Sequence, residues 1–172
     1  MEIRNAVPED LDAVAIVEAE CFPPAEAATK GRIAERIAVY GNHFWLLFED
    51  DKLIAFVNGM TTDSPDLTDE MYANAAMHCE TGAWQMIFGL NTLPRYRNKG
   101  YAAMLVERVI SDAKGQKRQG VVLTCKSHLV PYYAKFGFQN EGVTEKSTHG
   151  GAVWNQMRLT FDNAAQEHWR DI

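Results

Sequence analysis

The sequence predicts a single α/β domain: a mixed sheet of about seven strands flanked by about four helices. Three observations predict it. The run 84–125 reads as apolar strand, basic turn, amphipathic helix and second buried strand, a βαβ unit with a parallel pair and a right-handed crossover. Residues 43–60 read as an antiparallel hairpin turned at Asp50-Asp51. The 172 residues, free of internal repeats, linkers and low-complexity stretches, fit one domain with a substantial core. That domain is assigned to 1–162, with 163–172 as a C-terminal tail.

Composition narrows the function. A hydrophobic fraction of 47% and a charged fraction of 23% are ordinary for a soluble globular chain. The net charge of −6 argues against general nucleic-acid affinity. Cys21, Cys79 and Cys125 are odd in number and lack C-x-x-C spacing, which supports neither a disulfide framework nor a metal site. No apolar run approaches membrane-spanning length and the N-terminus lacks signal-peptide features, so the expected compartment is the reducing cytoplasm, away from membranes.

Taken in order, 2–7 is a short strand, and Pro8 with Glu9 and Asp10 opens a helix that runs to Cys21. Phe22-Pro23-Pro24 ends it in a shaped loop. A second helix is predicted over 25–40, closed by Gly41-Asn42. Strands follow at 43–49 and 52–60. The acidic segment 61–82 reads as a solvated loop, with a short helix over 68–78 and enough charge to attract a cation. The most apolar strand, 84–93, is the predicted centre of the sheet. A helix over 100–117 presents Met104, Leu105, Val109 and Ile110 to that sheet, and 121–125 is the next buried strand. A short helix over 129–136 ends at Gly137. Two antiparallel strands, 138–143 and 153–159, flank the polar loop 145–151.

The turn before the long helix carries the first functional signal. Arg95, Arg97 and Lys99 crowd a helix start whose backbone N–H groups lack partners. Gly100, Ala102 and Ala103 keep bulk away from that main chain, as close approach of a phosphate requires. Neither G-x-G-x-x-G nor G-x-x-x-x-G-K-[ST] spacing is present. Taken alone, the residues leave both an anion site and a bare connection open.

Element order and two motifs resemble the GCN5-related N-acetyltransferase superfamily. Its Gln/Arg-x-x-Gly-x-Gly/Ala signature stands here as Arg97-Asn98-Lys99-Gly100-Tyr101-Ala102, after a central strand and opening a helix. The family tyrosine four residues before Gly-Phe stands as Tyr133-x-x-x-Gly137-Phe138. The stretch Leu129-Val-Pro-Tyr-Tyr133-Ala-Lys-Phe-Gly-Phe138 is similar to that of the serotonin (arylalkylamine) N-acetyltransferases. In motif alignment, the two strand histidines of the vertebrate enzymes fall at Met86 and Phe88, which cannot carry a proton.

The resemblance implies acetyl transfer from acetyl-CoA to a primary amine, by direct attack in a ternary complex and without a metal. It implies a central strand splayed from its parallel neighbour to admit the pantetheine arm. Leu90, Asn91 and Thr92 would hold that arm through the backbone, with the Leu90 N–H steadying the carbonyl oxygen. Arg97 and the amides of Asn98, Lys99, Gly100, Tyr101, Ala102 and Ala103 would take the pyrophosphate. Tyr133 becomes the catalytic candidate, a phenol placed to protonate the leaving thiolate, whereas Tyr132 reads as packing. The base is unassigned among Glu20, His78, Glu80 and water. Cys125 reads as a buried thiol, and His149 as solvent-facing. A small amine is the leading acceptor; the alternatives are a protein N-terminus or lysine, and a non-catalytic acyl-CoA-binding module. The resemblance also leaves room for a homodimer.

Overall fold

The computed structural model describes residues 1–162, so the assignment of 163–172 as a tail lies outside the described residues. Strand β1 (Glu2–Asn5) leads through a single 3₁₀ turn into α1 (Leu11–Cys21). Asp10 secures this corner: it accepts the Val7 N–H at 2.8 Å and takes the Arg4 guanidinium on both carboxylate oxygens, each at 2.8 Å. Helix α2 (Lys30–Tyr40) starts later than predicted. The Pro23 carbonyl accepts N–H bonds from Glu26 and Ala27 at 2.9 Å, which holds the chain in a turn until Thr29 caps the helix by accepting from Arg32 N–H.

Strands β2 (Phe44–Glu49) and β3 (Lys52–Asn58) form the predicted hairpin. Asp50 and Asp51 both adopt positive φ, which aspartate tolerates better than most residues. The remaining elements are β4 (Thr61–Thr62), α3 (Asp69–Ala73), β5 (Trp84–Ile87), β6 (Gly89–Thr92), α4 (Tyr101–Gly115), β7 (Gly120–Cys125), α5 (Val130–Ala134), β8 (Gln139–Val143) and β9 (Asn155–Thr160).

Two sheets result, in the orders β1-β2-β3-β6 and β4-β5-β7-β9-β8, with β5–β7 the parallel pair. The run 84–93, predicted as one strand, is therefore two strands broken at Phe88. Pairing with β7 ends at Ile87 opposite Leu123, and from Gly89 the chain pairs instead with β3. The acidic segment holds the expected short helix, shortened to α3, and adds β4, which with the divided strand raises the strand count above the prediction. The sheets meet where Met86 and Phe88 N–H groups donate to the Met60 and Asn58 carbonyls, both at 2.8 Å. Gly59 permits this approach, because a Cβ there would collide with the Met86 carbonyl.

Strand β2 is buried on both faces. Trp45 and Leu47 pack toward α4 with Leu105 and Val109, whereas Phe44 and Leu46 pack toward α1 and α2 with Val14, Val17, Ile33 and Ile37. Period-2 alternation on a doubly covered strand thus places helices on both sides of the splayed sheet. No described helix is long and apolar enough to cross a membrane.

Candidate active site

The split at Phe88 leaves a V-shaped gap between β6 and the end of β7. Leu93 N–H donates to Ile54 in the β3–β6 ladder. Antiparallel alternation then turns the backbone groups of Asn91 toward β3, and those of Leu90 and Thr92 toward the gap. The Thr92 carbonyl confirms the direction, accepting from Arg97 Nε at 3.0 Å and Cys21 Sγ at 3.3 Å rather than from β3. The Leu90 N–H and C=O and the Thr92 N–H thus face a cavity of about 640 Å³ that continues from the gap to the start of α4.

At α4, Asn98 and Gly100 have φ of +62° and +85°. Gly100 is the N-cap, and nothing lies within 4 Å of where its Cβ would stand. The first amides of the helix are therefore bare, no acidic side chain occupies its first turn, and small Ala102 and Ala103 line the cavity. Cations add to the positive end of the dipole: Lys52 Nζ, Arg95 Cζ and Lys99 Nζ lie 5.4–5.6 Å from the centre of the Tyr96 ring. The turn can hold a dianionic or diphosphate group.

Of the residues singled out in sequence, Leu90, Thr92, Arg97, Asn98, Gly100, Tyr101, Ala102, Ala103 and Tyr133 line this one cavity. Asn91 and Lys99 do not. Asn91 is buried beneath the strand and donates to Glu18 Oε1 at 3.0 Å, while Lys99 is exposed on the rim.

Tyr133 stands on the opposite wall from β6. Its ring is edge-on to Phe138 and Tyr132, and burial pushes the phenol above its ordinary value. It therefore stays a proton donor at neutral pH. Tyr132, read as packing, is only half-buried and also faces the cavity. Cys125 lies at the end of β7 with its Sγ directed at Met157 Sδ, and burial raises its thiol to about 11. A thiolate is disfavoured there, in keeping with the reading of Cys125 as a buried thiol.

The other end of the cavity is built from distant segments. Glu18 reaches in from α1, only 5% exposed, and burial raises its carboxyl against the hydrogen bond from Asn91. Arg36 of α2 donates to the Tyr72 carbonyl at 2.9 Å and to Asn58 Oδ1 at 3.3 Å, and covers the Phe88 ring. His149 does not face solvent as predicted. Its ring stacks on Tyr72 at 4.6 Å, its Nε2 is 2.6 Å from the Glu26 carbonyl, and Trp154 Nε1 donates to the His149 carbonyl. Lys126 completes the strap with an ion pair to Glu26 at 2.8 Å.

The base candidates named from sequence lie elsewhere. Glu20 is exposed, and His78 and Glu80 bond each other at 2.7 Å beside His43, outside the residues that line the cavity. Sequence reasoning missed Glu18. Its signal was its helical spacing, four residues after Val14 and one after Val17, which puts a carboxylate on the buried face of α1.

The family model for the acetyltransferase (GNAT) family matches residues 11–138. Serotonin N-acetyltransferase of Mesocricetus auratus is 29% identical over 150 residues, which span 82% of this chain and 69% of that protein. Among solved structures, the loading GNATL domain of CurA from Lyngbya majuscula has a TM-score of 0.80 at 16% identity, covering 92% of this chain and 96% of that one. The GphF GNAT-like decarboxylase in complex with isobutyryl-CoA has a TM-score of 0.75 at 19% identity, covering 93% and 99%.

Proposed function

This chain belongs to the acetyltransferase (GNAT) family, whose acyl donor is acetyl-CoA, and we propose that it transfers the acetyl group to a primary amine of a small molecule by direct attack in a ternary complex. The observation that carries this reading is the gap between β6 and β7, with unpaired strand groups on one wall and Tyr133 on the other. Acetyl-CoA supplies an activated acyl group and a thiolate leaving group. In this reading, residues 1–162 form the catalytic domain.

The chain's own groups then divide the work. The amides from Asn98 to Ala103, with Arg97 beside them, hold the pyrophosphate. Leu90 and Thr92 hold the pantetheine arm through backbone groups in the gap. The Leu90 N–H is aimed at the carbonyl oxygen as it gains negative charge. Tyr133 donates its phenolic proton to the departing sulfur, a role worth roughly 10²–10⁴-fold. Cys125 has no place in this sequence of events, because its proton is held too tightly for an acyl-enzyme route.

The small-molecule assignment rests on the strap across the acceptor end. His149 joins the 144–154 segment directly to the Glu26 carbonyl of the 22–28 loop, and Lys126 bridges the Glu26 carboxylate and the Trp154 ring, contacts that favour a compact acceptor over an extended peptide along this wall. A panel of small amines and N-terminal peptides, assayed for thiol release from acetyl-CoA, tests the proposal. Small amines should outperform peptides in kcat/KM. Preference for peptides would overturn the acceptor class, and CoA binding without thiol release from any acceptor would mark a binding module.

A further inference from the structure

We propose that Glu18 is the general base of this transfer, receiving the acceptor nitrogen in a buried nook that it forms with Asn91 over Gly89. The inference rests on the acetyltransferase reading above and deepens it. The positions where the resemblance would place proton carriers are Met86 and Phe88, neither of which can titrate. A base must come from another element.

Glu18 is the carboxylate that α1 carries into the cavity wall while remaining 5% exposed. Carboxylates are rarely buried to this degree without an ion pair or a chemical task. Its Oε1 accepts from Asn91 Nδ2 at 3.0 Å, which orients the group. Asn91 Oδ1 is buried without any hydrogen-bond partner. Both oxygens face the same small space: a Cβ built on Gly89 would lie 3.2 Å from Asn91 Oδ1 and 3.8 Å from Glu18 Oε1. Asn58 Nδ2, at 3.6 Å, is the third polar neighbour of that space. The Glu18 carboxylate lines the cavity and offers an acceptor to a group rich in donors, as an alkylammonium is, while buried Asn91 fixes its orientation from beneath. The nook adjoins Leu90, whose N–H faces the gap, so a nitrogen held there stands beside the carbonyl it must attack.

The electrostatic surroundings suit a base. Burial raises the proton affinity of Glu18, while the Asn91 amide, the Ala28 N–H, and Arg36 and His149 on the facing segments oppose that rise. Glu18 takes one proton from the ammonium. The nitrogen lone pair forms the C–N bond as the C–S bond breaks with its electrons going to sulfur. Tyr133 gives the sulfur its proton, and its phenolate takes the second proton shed by the nitrogen. Glu18 then releases its proton to solvent. The balance is one amide, one thiol and one proton.

The test uses the full chain with acetyl-CoA and two probes, 2-phenylethylamine and 2,2-difluoro-2-phenylethylamine, whose fluorines make the ammonium far more acidic. Glu18→Gln should keep CoA affinity in calorimetry yet lose about 10²-fold in kcat/KM with the first amine. Its remaining rate should climb with pH toward the amine's own ionisation. The loss should shrink at least tenfold with the fluorinated amine, which needs little help to deprotonate. Equal losses with both amines, or wild-type rates in Glu18→Gln, would overturn the proposal while leaving acetyl transfer standing. Gly89→Ala, which places a methyl in the nook 3.8 Å from Glu18 Oε1 and leaves the carboxylate itself in the chain, should raise the KM for 2-phenylethylamine several-fold at unchanged CoA affinity; an unchanged KM would equally refute the nook. Absence of thiol release by the wild type with any amine removes the underlying reading and this one with it.

Discussion

The two ends of the cavity are made in different ways. The end proposed to hold the acyl donor is mostly main chain: amides of 98–103, the edge of β6 at Leu90 and Thr92, and one glycine at positive φ. The acceptor end is mostly side chain, drawn from α1, α2, the 22–28 loop, α3 and the 144–154 segment. Main-chain recognition depends on backbone conformation and survives sequence change; side-chain recognition changes with each residue. One end can therefore keep a common co-substrate while the other is free to select an acceptor.

The largest expected effect falls on the residue that stands between the two ends. Tyr133→Phe should lower kcat by roughly 10²–10⁴-fold while CoA affinity in calorimetry stays the same; an unchanged kcat would remove Tyr133 from proton transfer. Because burial holds the phenol above the ordinary tyrosine value of about 10, its ionisation should impose no alkaline fall in kcat below about pH 10. The sign follows from linkage: a raised folded-state value keeps the proton on, so the related stability is intact below the unfolded value and is lost only as pH rises above it.

Next in size is the donor end. A β-carbon at Gly100 meets no neighbour, so Gly100→Ala pays only the left-handed strain of about 1–2 kcal/mol. That should lower Tm modestly, and intrusion on the phosphate path should weaken CoA binding by about tenfold, equivalent to about 1.4 kcal/mol. An amine KM that moved as much as the CoA affinity would break the separation of the two ends.

The acceptor end should show the converse. His149→Ala removes the stack on Tyr72 and the contact with the Glu26 carbonyl, a loss of about 1 kcal/mol, or roughly fivefold, that should appear in the amine KM and leave CoA titrations unmoved. The smallest effect belongs to Cys125→Ala. With a thiol held near 11, the variant should retain wild-type kcat within about twofold, and mass spectrometry should detect no acetylated intermediate on the wild type.

Legibility in the sequence followed the same division. Arg97-x-x-Gly100-x-Ala102 and Tyr133-x-x-x-Gly137 could be read because local residues alone impose a positive φ, a bare helix start or a helix end. The break at Phe88 could not be read, since no turn residue such as Pro or Asp separates 84–87 from 89–92 and the two strands differ chiefly in their partners. Asn91 was placed at the donor end through its backbone, yet strand alternation turns that backbone to β3 and its side chain to Glu18. His149 looked solvated between Thr148 and Gly150 because nothing local announces Tyr72 or Glu26 as its neighbours.

What the sequence determined by itself was the family, the element order and the bare, basic helix start at 97–102, because these rest on short-range backbone preferences and hydrophobic period. Only the tertiary structure decided where the central strand divides and which carboxylate reaches the acceptor end. Those outcomes depend on contacts between residues far apart in the chain. Glu18 meets Asn91 across 73 positions and His149 meets Glu26 across 123, distances over which local propensity carries no information.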